Sequence, residues 1–88
     1  MNNHKQTNLI LVTNVNCVKC AQVKEILKRI APDFPGLNVR EIDMTTDEGR
    51  EFINKYSIMS SPGIIIDDKL FSMGGTTEKE LREKLKEN

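Results

Sequence analysis

Two cysteines stand three residues apart in the stretch Asn14-Val15-Asn16-Cys17-Val18-Lys19-Cys20, and the chain contains no others. Thiols at this spacing can do one of three things. They can exchange electrons as a dithiol–disulfide couple, offer two soft ligands to a metal ion, or fill space in a core. On a helix, positions i and i+3 share a face with Cβ atoms about 5–6 Å apart, and modest adjustment brings them within disulfide reach. Cys17 falls where an apolar run has ended and a helical pattern begins. A helix N-terminus offers unpaired N–H groups and the positive end of the macrodipole, a setting that lowers a cysteine pKa from about 8.5 toward the reactive thiolate. Lys19, between the two, adds a positive charge that could tune Cys17, or is an ordinary solvated helix residue. In the redox reading Cys17, nearer solvent, attacks a substrate disulfide. Cys20, more enclosed, then attacks Cys17 and releases the reduced substrate.

Those residues need a scaffold, and the hydrophobic pattern describes one. Leu9 to Val12 is a continuous apolar run, the mark of a strand buried on both faces. From Val18 the period changes: Val23, Ile26, Leu27, Ile30 and Ala31 recur at helical spacing until Pro32 closes the helix. Pro35-Gly36 turns the chain into a second strand, Leu37 to Asp43. Thr45 with Glu48 three residues on reads as a capping box opening a short helix to about Tyr56. Gly63 to Ile66 is a third buried strand, Asp67-Asp68-Lys69 a hairpin turn, and Leu70 to Met73 the antiparallel return. After Gly74-Gly75, Thr77 and Glu80 form a second capping box, and Leu81 and Leu85 face inward on a last helix. The order is β-α-β-α-β-β-α. If both crossovers join parallel strands, each is right-handed.

Composition narrows the function. The 88 residues suit one domain with a modest core, read as residues 9–88 behind a flexible tail, 1–8, in which His4 has no role. With 13 basic and 13 acidic residues the formal net charge is zero, which gives no electrostatic basis for nucleic acid or an anionic membrane as partner. The N-terminus is polar and its first apolar run is four residues long, short of a signal peptide or of the ~20 residues of a membrane span. A cytoplasmic location is expected. In that reducing compartment a close cysteine pair is catalytic or metal-binding more often than structural.

Three features carry a resemblance. These are Cys17-Val18-Lys19-Cys20 at the strand-to-helix junction; Tyr56, Ile58 and Ser61-Pro62 ahead of the third strand; and Gly74 seven residues before Leu81. Together, from about Leu9 to Leu85, the chain resembles the thioredoxin/glutaredoxin superfamily, and in particular its small glutaredoxin-sized members from archaea and bacteria. The resemblance implies a thioredoxin-like three-layer α/β/α sandwich with a four-stranded mixed sheet. It implies that Pro62 is cis and lies beside the cysteines, and that the backbone of Ser61 pairs with the substrate chain. The Cys17–Cys20 disulfide would be the redox group, with no cofactor besides. The partners would be a disulfide-containing protein and a reductase, with glutathione as the other candidate reductant, and the protein would act as a monomer.

The sequence also departs from the family. Asn16 stands where thioredoxins have Trp before the first cysteine, Val18-Lys19 lacks the usual Pro, and no glutaredoxin Tyr is present. The buried acid that serves the second cysteine would fall at Leu11. Cys20 must then lose its proton to water or to a surface group. Gly74-Gly75 is similar to the glycine pair that glutaredoxins place beside glutathione, but two extra residues separate it from the helix.

Other residues have plain readings. Tyr56 is expected to pack its ring at the core edge with its hydroxyl at the surface. Met59 and Met73 could rim a protein-binding surface or fill the core. Phe34, Phe52 and Phe71 are core or rim candidates, and the acids Asp43, Asp47 and Glu48 suit a helix start. Two functions compete with the oxidoreductase. One is a thioredoxin-fold adaptor whose cysteines no longer turn over. The other is a soft-metal CxxC module, but a closed zinc site needs four ligands, more than two cysteines and a tail histidine supply.

Overall fold

The computed structural model describes residues 6–87; His4 lies outside them. Four strands form one sheet in the order β2-β1-β3-β4, with β1 spanning Thr7–Thr13, β2 Leu37–Asp43, β3 Gly63–Ile66 and β4 Lys69–Met73. Three helices cover it: α1 Val18–Ile30, α2 Asp47–Tyr56 and α3 Glu78–Glu87. Successive strand residues point to opposite faces, so the apolar runs supply two cores. Leu9, Leu11, Ile64 and Ile66 pack against Val23, Leu27 and Ile30 of α1 and Leu81 and Leu85 of α3. Val12 and Ile65 point the other way, toward Ile58 and the Phe52, Ile53 and Tyr56 side chains of α2. The result is the three-layer α/β/α sandwich with a mixed sheet.

Strand direction is what assembles the site. β1 runs parallel to β2 and antiparallel to β3, with Val12 opposite Gly63. The condition that both crossovers join parallel strands therefore holds for the first alone. Because β3 runs against β1, the residues that follow β1 and those that precede β3 meet at one edge. Cys17 and Pro62 are brought together by that reversal.

The elements differ in detail from the sequence reading. β1 begins at Thr7, inside the segment read as tail, because the Thr7 N–H donates to the Gly36 carbonyl at 2.9 Å and Thr7 pairs in register with Leu37. A polar strand start leaves no apolar signal. The cap of α2 is Thr46 rather than Thr45: the Thr46 hydroxyl accepts from the Gly49 N–H at 3.0 Å. Thr45 instead donates to the Asp43 carboxylate through its N–H and its hydroxyl, and Glu48 accepts from Arg40 at 2.7 Å. The second capping box forms as expected, with Thr77 and Glu80 each accepting from the other's backbone N–H. The hairpin turn is Asp67-Asp68, both with positive φ (48° and 68°), the left-handed geometry that matches strand twist in a two-residue loop. Tyr56 stacks on Phe52 and donates its hydroxyl to the Asp68 carbonyl at 3.1 Å. Arg29 and Arg82 both bond Glu78, and Arg82 also reaches Asp33, tying the end of α1 to α3.

Candidate active site

β1 hands the chain to the turn Asn14-Val15-Asn16, where Asn16 takes a φ of 56°. Asn tolerates this left-handed conformation better than most residues, and it aims the next residue at the start of α1. Cys17 is the N-cap of that helix: its backbone is extended, and its Sγ accepts the Cys20 N–H at 3.1 Å. The sulfur thus takes the place of a capping hydroxyl. Cys17 and Cys20 are joined as a disulfide, with Cα atoms 5.2 Å apart. Cys20 is 2% exposed, whereas Cys17 is half-buried and open to approach.

Two further segments complete the site. The Ser61–Pro62 bond is cis, and Ser61 Oγ lies 3.4 Å from Cys17 Sγ. A disulfide sulfur carries no proton, so the hydroxyl donates. Pro62 is buried, and its carbonyl accepts the N–H of Gly74 at 2.9 Å. Gly74 and Gly75 have φ values of 87° and 119°, which side chains rarely adopt. This turn holds the third segment alongside the proline. Val15 and Val18 line the groove with the cysteines and are exposed, and Met59 and Met73 are exposed on the segments before β3 and at the end of β4. The Met59 N–H also donates to Met73 Sδ at 3.3 Å.

Two open grooves border the first turns of α1, and one of them is lined by the sulfurs. The larger, of about 670 Å³, is lined by both cysteines together with Thr13, Val15, Lys24 and Glu41. Within it Glu41 Oε2 receives Lys24 Nζ at 2.8 Å and the Thr13 hydroxyl at 3.0 Å. The Lys24 ammonium, and then the Thr13 hydroxyl, outweigh partial burial and hold the Glu41 carboxyl below the ordinary range. The second groove holds Lys19, whose stem runs past Gly75, along with Thr76, Thr77 and Glu80. There the Glu80 carboxyl is kept low first by the Thr77 backbone N–H and then by the Thr76 hydroxyl.

Cys17, Cys20, Ser61 and Pro62 are therefore gathered at one edge, while Lys19 turns to the neighbouring groove. Sequence reasoning missed Lys24, Glu41 and Thr13. Lys24 had a signal, since it lies four residues after Cys20 and so one turn along the same helix face. Glu41 had none, because its approach to α1 depends on the β1–β2 register. Among the described residues no group of three or more His, Cys, Asp or Glu is placed to hold a metal ion, and no helix is long and apolar enough to cross a membrane.

This site lies within a family match. A family model described as "Thioredoxin domain" matches residues 8–86. A protein named "Probable Thioredoxin" from Archaeoglobus fulgidus is 29% identical over 73 residues, which is 83% of this chain and 79% of that protein. Among solved structures, oxidized mitochondrial thioredoxin 3 from Saccharomyces cerevisiae superposes with a TM-score of 0.74 at 16% identity, over 96% of this chain and 80% of that one. Thioredoxin from Trypanosoma brucei brucei gives 0.72 at 25% identity, over 93% and 74%. The NTD_N/C domain of alkylhydroperoxide reductase AhpF from Enterococcus faecalis gives 0.77 at 25% identity, over 92% of this chain and 38% of that one. The chain belongs to the thioredoxin domain family, and with its Cys17–Cys20 disulfide it is a thiol–disulfide oxidoreductase.

Proposed function

We propose that this protein is a dithiol electron carrier of thioredoxin type, which reduces disulfides in protein substrates and is re-reduced by a partner reductase in the cytoplasm. The observation that carries the reading is the asymmetry of the pair. Cys17 is half-buried at the N-cap of α1, and Cys20 lies behind it at 2% exposure. The reduced Cys17 thiolate attacks one sulfur of the substrate disulfide, forming a mixed disulfide and expelling the other sulfur as a thiolate that takes up a proton. Cys20 then loses its proton and attacks Cys17 Sγ, and the second substrate sulfur departs. Two electrons have passed to the substrate, and Cys17–Cys20 is a disulfide again.

Ser61 and Pro62 serve substrate binding in this reading. The backbone of Ser61 flanks Cys17, where an extended chain could pair with it, and the rim of Val15, Val18, Met59 and Met73 suits an apolar protein surface. Lys19 contributes only its charge, because its stem runs past Gly75. The sulfur pair is the only redox group invoked, and the protein works as a monomer. A glutaredoxin-type reductant is disfavoured by Glu80, whose carboxylate already accepts from the Thr77 N–H and the Thr76 hydroxyl at the start of α3. Glu80 thereby occupies the backbone N–H and hydroxyl that open α3, donors that a glutathione carboxylate would otherwise need.

The test uses insulin as substrate with two variants. Cys20→Ser should accumulate a mixed disulfide through Cys17, and Cys17→Ser should trap nothing. The reduction potential should fall near about −270 mV, the thioredoxin end of the range, against about −200 mV for a glutaredoxin. Trapping by Cys17→Ser instead would reverse the assigned roles. A wild-type chain that forms the disulfide but never exchanges it with insulin would leave the adaptor reading in its place.

A further inference from the structure

Among the described residues β2 has a neighbouring strand, β1, on one side only. In a parallel ladder alternate residues turn their N–H and C=O toward the neighbour. The Gly36 carbonyl accepts the Thr7 N–H at 2.9 Å, and the Met44 N–H donates to the Thr13 carbonyl at 2.8 Å. The register between these two bonds has no shift. Asn38, Arg40 and Ile42 therefore face β1, and Leu37, Val39, Glu41 and Asp43 turn their backbone groups outward. The Leu37 N–H is taken by the Phe34 carbonyl, and the Asp43 carbonyl by Thr46. The Leu37 carbonyl, both groups of Val39 and of Glu41, and the Asp43 N–H have no partner among the described residues. We propose that this edge binds an extended segment of the protein substrate as an added strand, which leads the substrate disulfide to Cys17. The proposal rests on the electron-carrier reading and names the part of the substrate that is gripped.

The opposite edge of the sheet is blunted and this one is not. β4 has five residues, begins on Lys69, and slips its register at Phe71, between Ser72 opposite Ile64 and Leu70 opposite Ile65. Short length, an edge lysine and a bulge each discourage pairing. β2 has seven residues and contains no lysine, proline or bulge. Its central charges are held by its own helices: Arg40 bonds Glu48 at 2.7 Å, and Glu41 bonds Lys24 at 2.8 Å. Position then selects the occupant. Glu41 and Asp43 line the same groove as both cysteines, so a strand about 4.8 Å beyond β2 ends beside the sulfurs. Ser61-Pro62 lies on the other side, because β1 separates β2 from β3. A disulfide joins two segments of a substrate, and one can pair at Ser61 while the other lies along β2.

The side chains of β2 set the chemistry of that segment. Val39 is exposed and shares a face with Glu41, which meets Lys24 of α1. Arg40 is on the other face, with Glu48 of α2. Antiparallel pairing is the more stable arrangement per residue. In it an apolar residue suits the place opposite Val39, and an acid suits the preceding place, opposite Arg40. Main-chain bonds supply the affinity and these alternate side chains the selectivity. An antiparallel segment starts at the Asp43 end, so its cysteine precedes the paired residues.

Amide exchange on a trapped complex tests the edge. The Cys20→Ser protein is joined through Cys17 to the peptide Cys-Gly-Gly-Thr-Glu-Val-Thr-Val, activated as its thionitrobenzoate disulfide, and hydrogen–deuterium exchange is read by NMR. The tether supplies the effective concentration that a short strand needs. The Val39 and Glu41 amides should slow about five- to tenfold, the effect of one hydrogen bond of ordinary net strength. The Arg40 and Ile42 amides, already bonded to β1, should not change. The same peptide with proline in place of its first threonine and first valine lacks the donors facing Glu41 and Val39, and should lose most of the protection. Unchanged Val39 and Glu41 amides in a complex that has formed overturn the docking edge and leave the electron carrier intact. Protection that needs no peptide and grows with protein concentration gives the edge to a second copy, and overturns the proposal as well. Failure of Cys17 to take up the peptide at all overturns both readings.

Discussion

Replacing Gly49 with Ala sets two physical effects against each other, and the structure says which prevails. Gly49 is the third residue of α2, and on helix propensity alone Ala would stabilise by about 1 kcal/mol. A Cβ at Gly49, however, would sit 2.1 Å from the Asp43 carbonyl oxygen, 2.6 Å from Met44 Cα and 2.9 Å from the Asp43 carbonyl carbon. These are backbone atoms, so no rotamer change relieves the contact, and the helix start and the end of β2 must separate by roughly 1 Å to reach ordinary contact distance. The same Asp43 carbonyl accepts the Thr46 N–H at 3.1 Å and the Thr46 hydroxyl at 2.7 Å, so separation also disturbs the cap. Overpacking costs about 1–3 kcal/mol and a lost cap about 1 kcal/mol. Against the propensity gain, the net loss is about 1–3 kcal/mol. For a domain of this size each kcal/mol moves Tm by about 4–8 °C, so a loss near the middle of that range lowers Tm by about 8–16 °C. Urea unfolding followed by circular dichroism at constant m-value is the assay. A Gly49→Ala protein as stable as wild type, or more so, would mean that the close approach of α2 to β2 is not as described.

Two further perturbations address the site and the helix tie. Ser61→Ala removes the hydroxyl that lies 3.4 Å from Cys17 Sγ; at that long distance the bond to a thiolate stabilises by about 0.5–1 kcal/mol, below the usual charged range, so iodoacetamide alkylation of reduced Cys17 at pH 7 should slow about two- to fivefold, and an unchanged rate would remove the side chain from the chemistry. Glu78 has its carboxyl lowered first by Arg29 and then by Arg82. Its contribution is therefore fully present above about pH 4.5, the unfolded value, and is lost as pH falls through the lower folded value. Glu78→Gln should flatten the fall in urea midpoint between pH 5 and pH 3, whereas an acid limb matching wild type would mean that the Arg29–Glu78–Arg82 tie contributes nothing to stability.

What could be read from the sequence followed from short-range periodicity. The runs Leu9 to Val12 and Gly63 to Ile66, the helical recurrence from Val23 to Ile30, and the cysteines at a helix start are all local signals. The Thr77–Glu80 box was legible because both partners lie within one turn. Where a long-range contact competes with a local one, the pattern loses authority. Thr45 and Glu48 looked like a cap, yet Glu48 goes to Arg40 on β2, and the close seat of Gly49 moves the helix start to Thr46. Strand direction was likewise hidden, since nothing in Gly63 to Ile66 states which way the strand runs beside β1. Lys24, Glu41 and Thr13 come from three different elements, so their meeting could not be seen before the sheet was assembled.

The capping role of Cys17 ties electrochemistry to helix formation. The same Sγ that carries the electrons also accepts the Cys20 N–H at the first turn of α1. A thiolate accepts such a bond about twice as strongly as a neutral atom does, so the helix start favours the reduced form. By linkage, whatever firms that turn raises the potential, by about 30 mV for each 1.4 kcal/mol of preference. The couple is thus a property of the helix as well as of the two sulfurs. A mixed disulfide keeps the sulfur in its capping place, so α1 can remain wound while the bond partner changes.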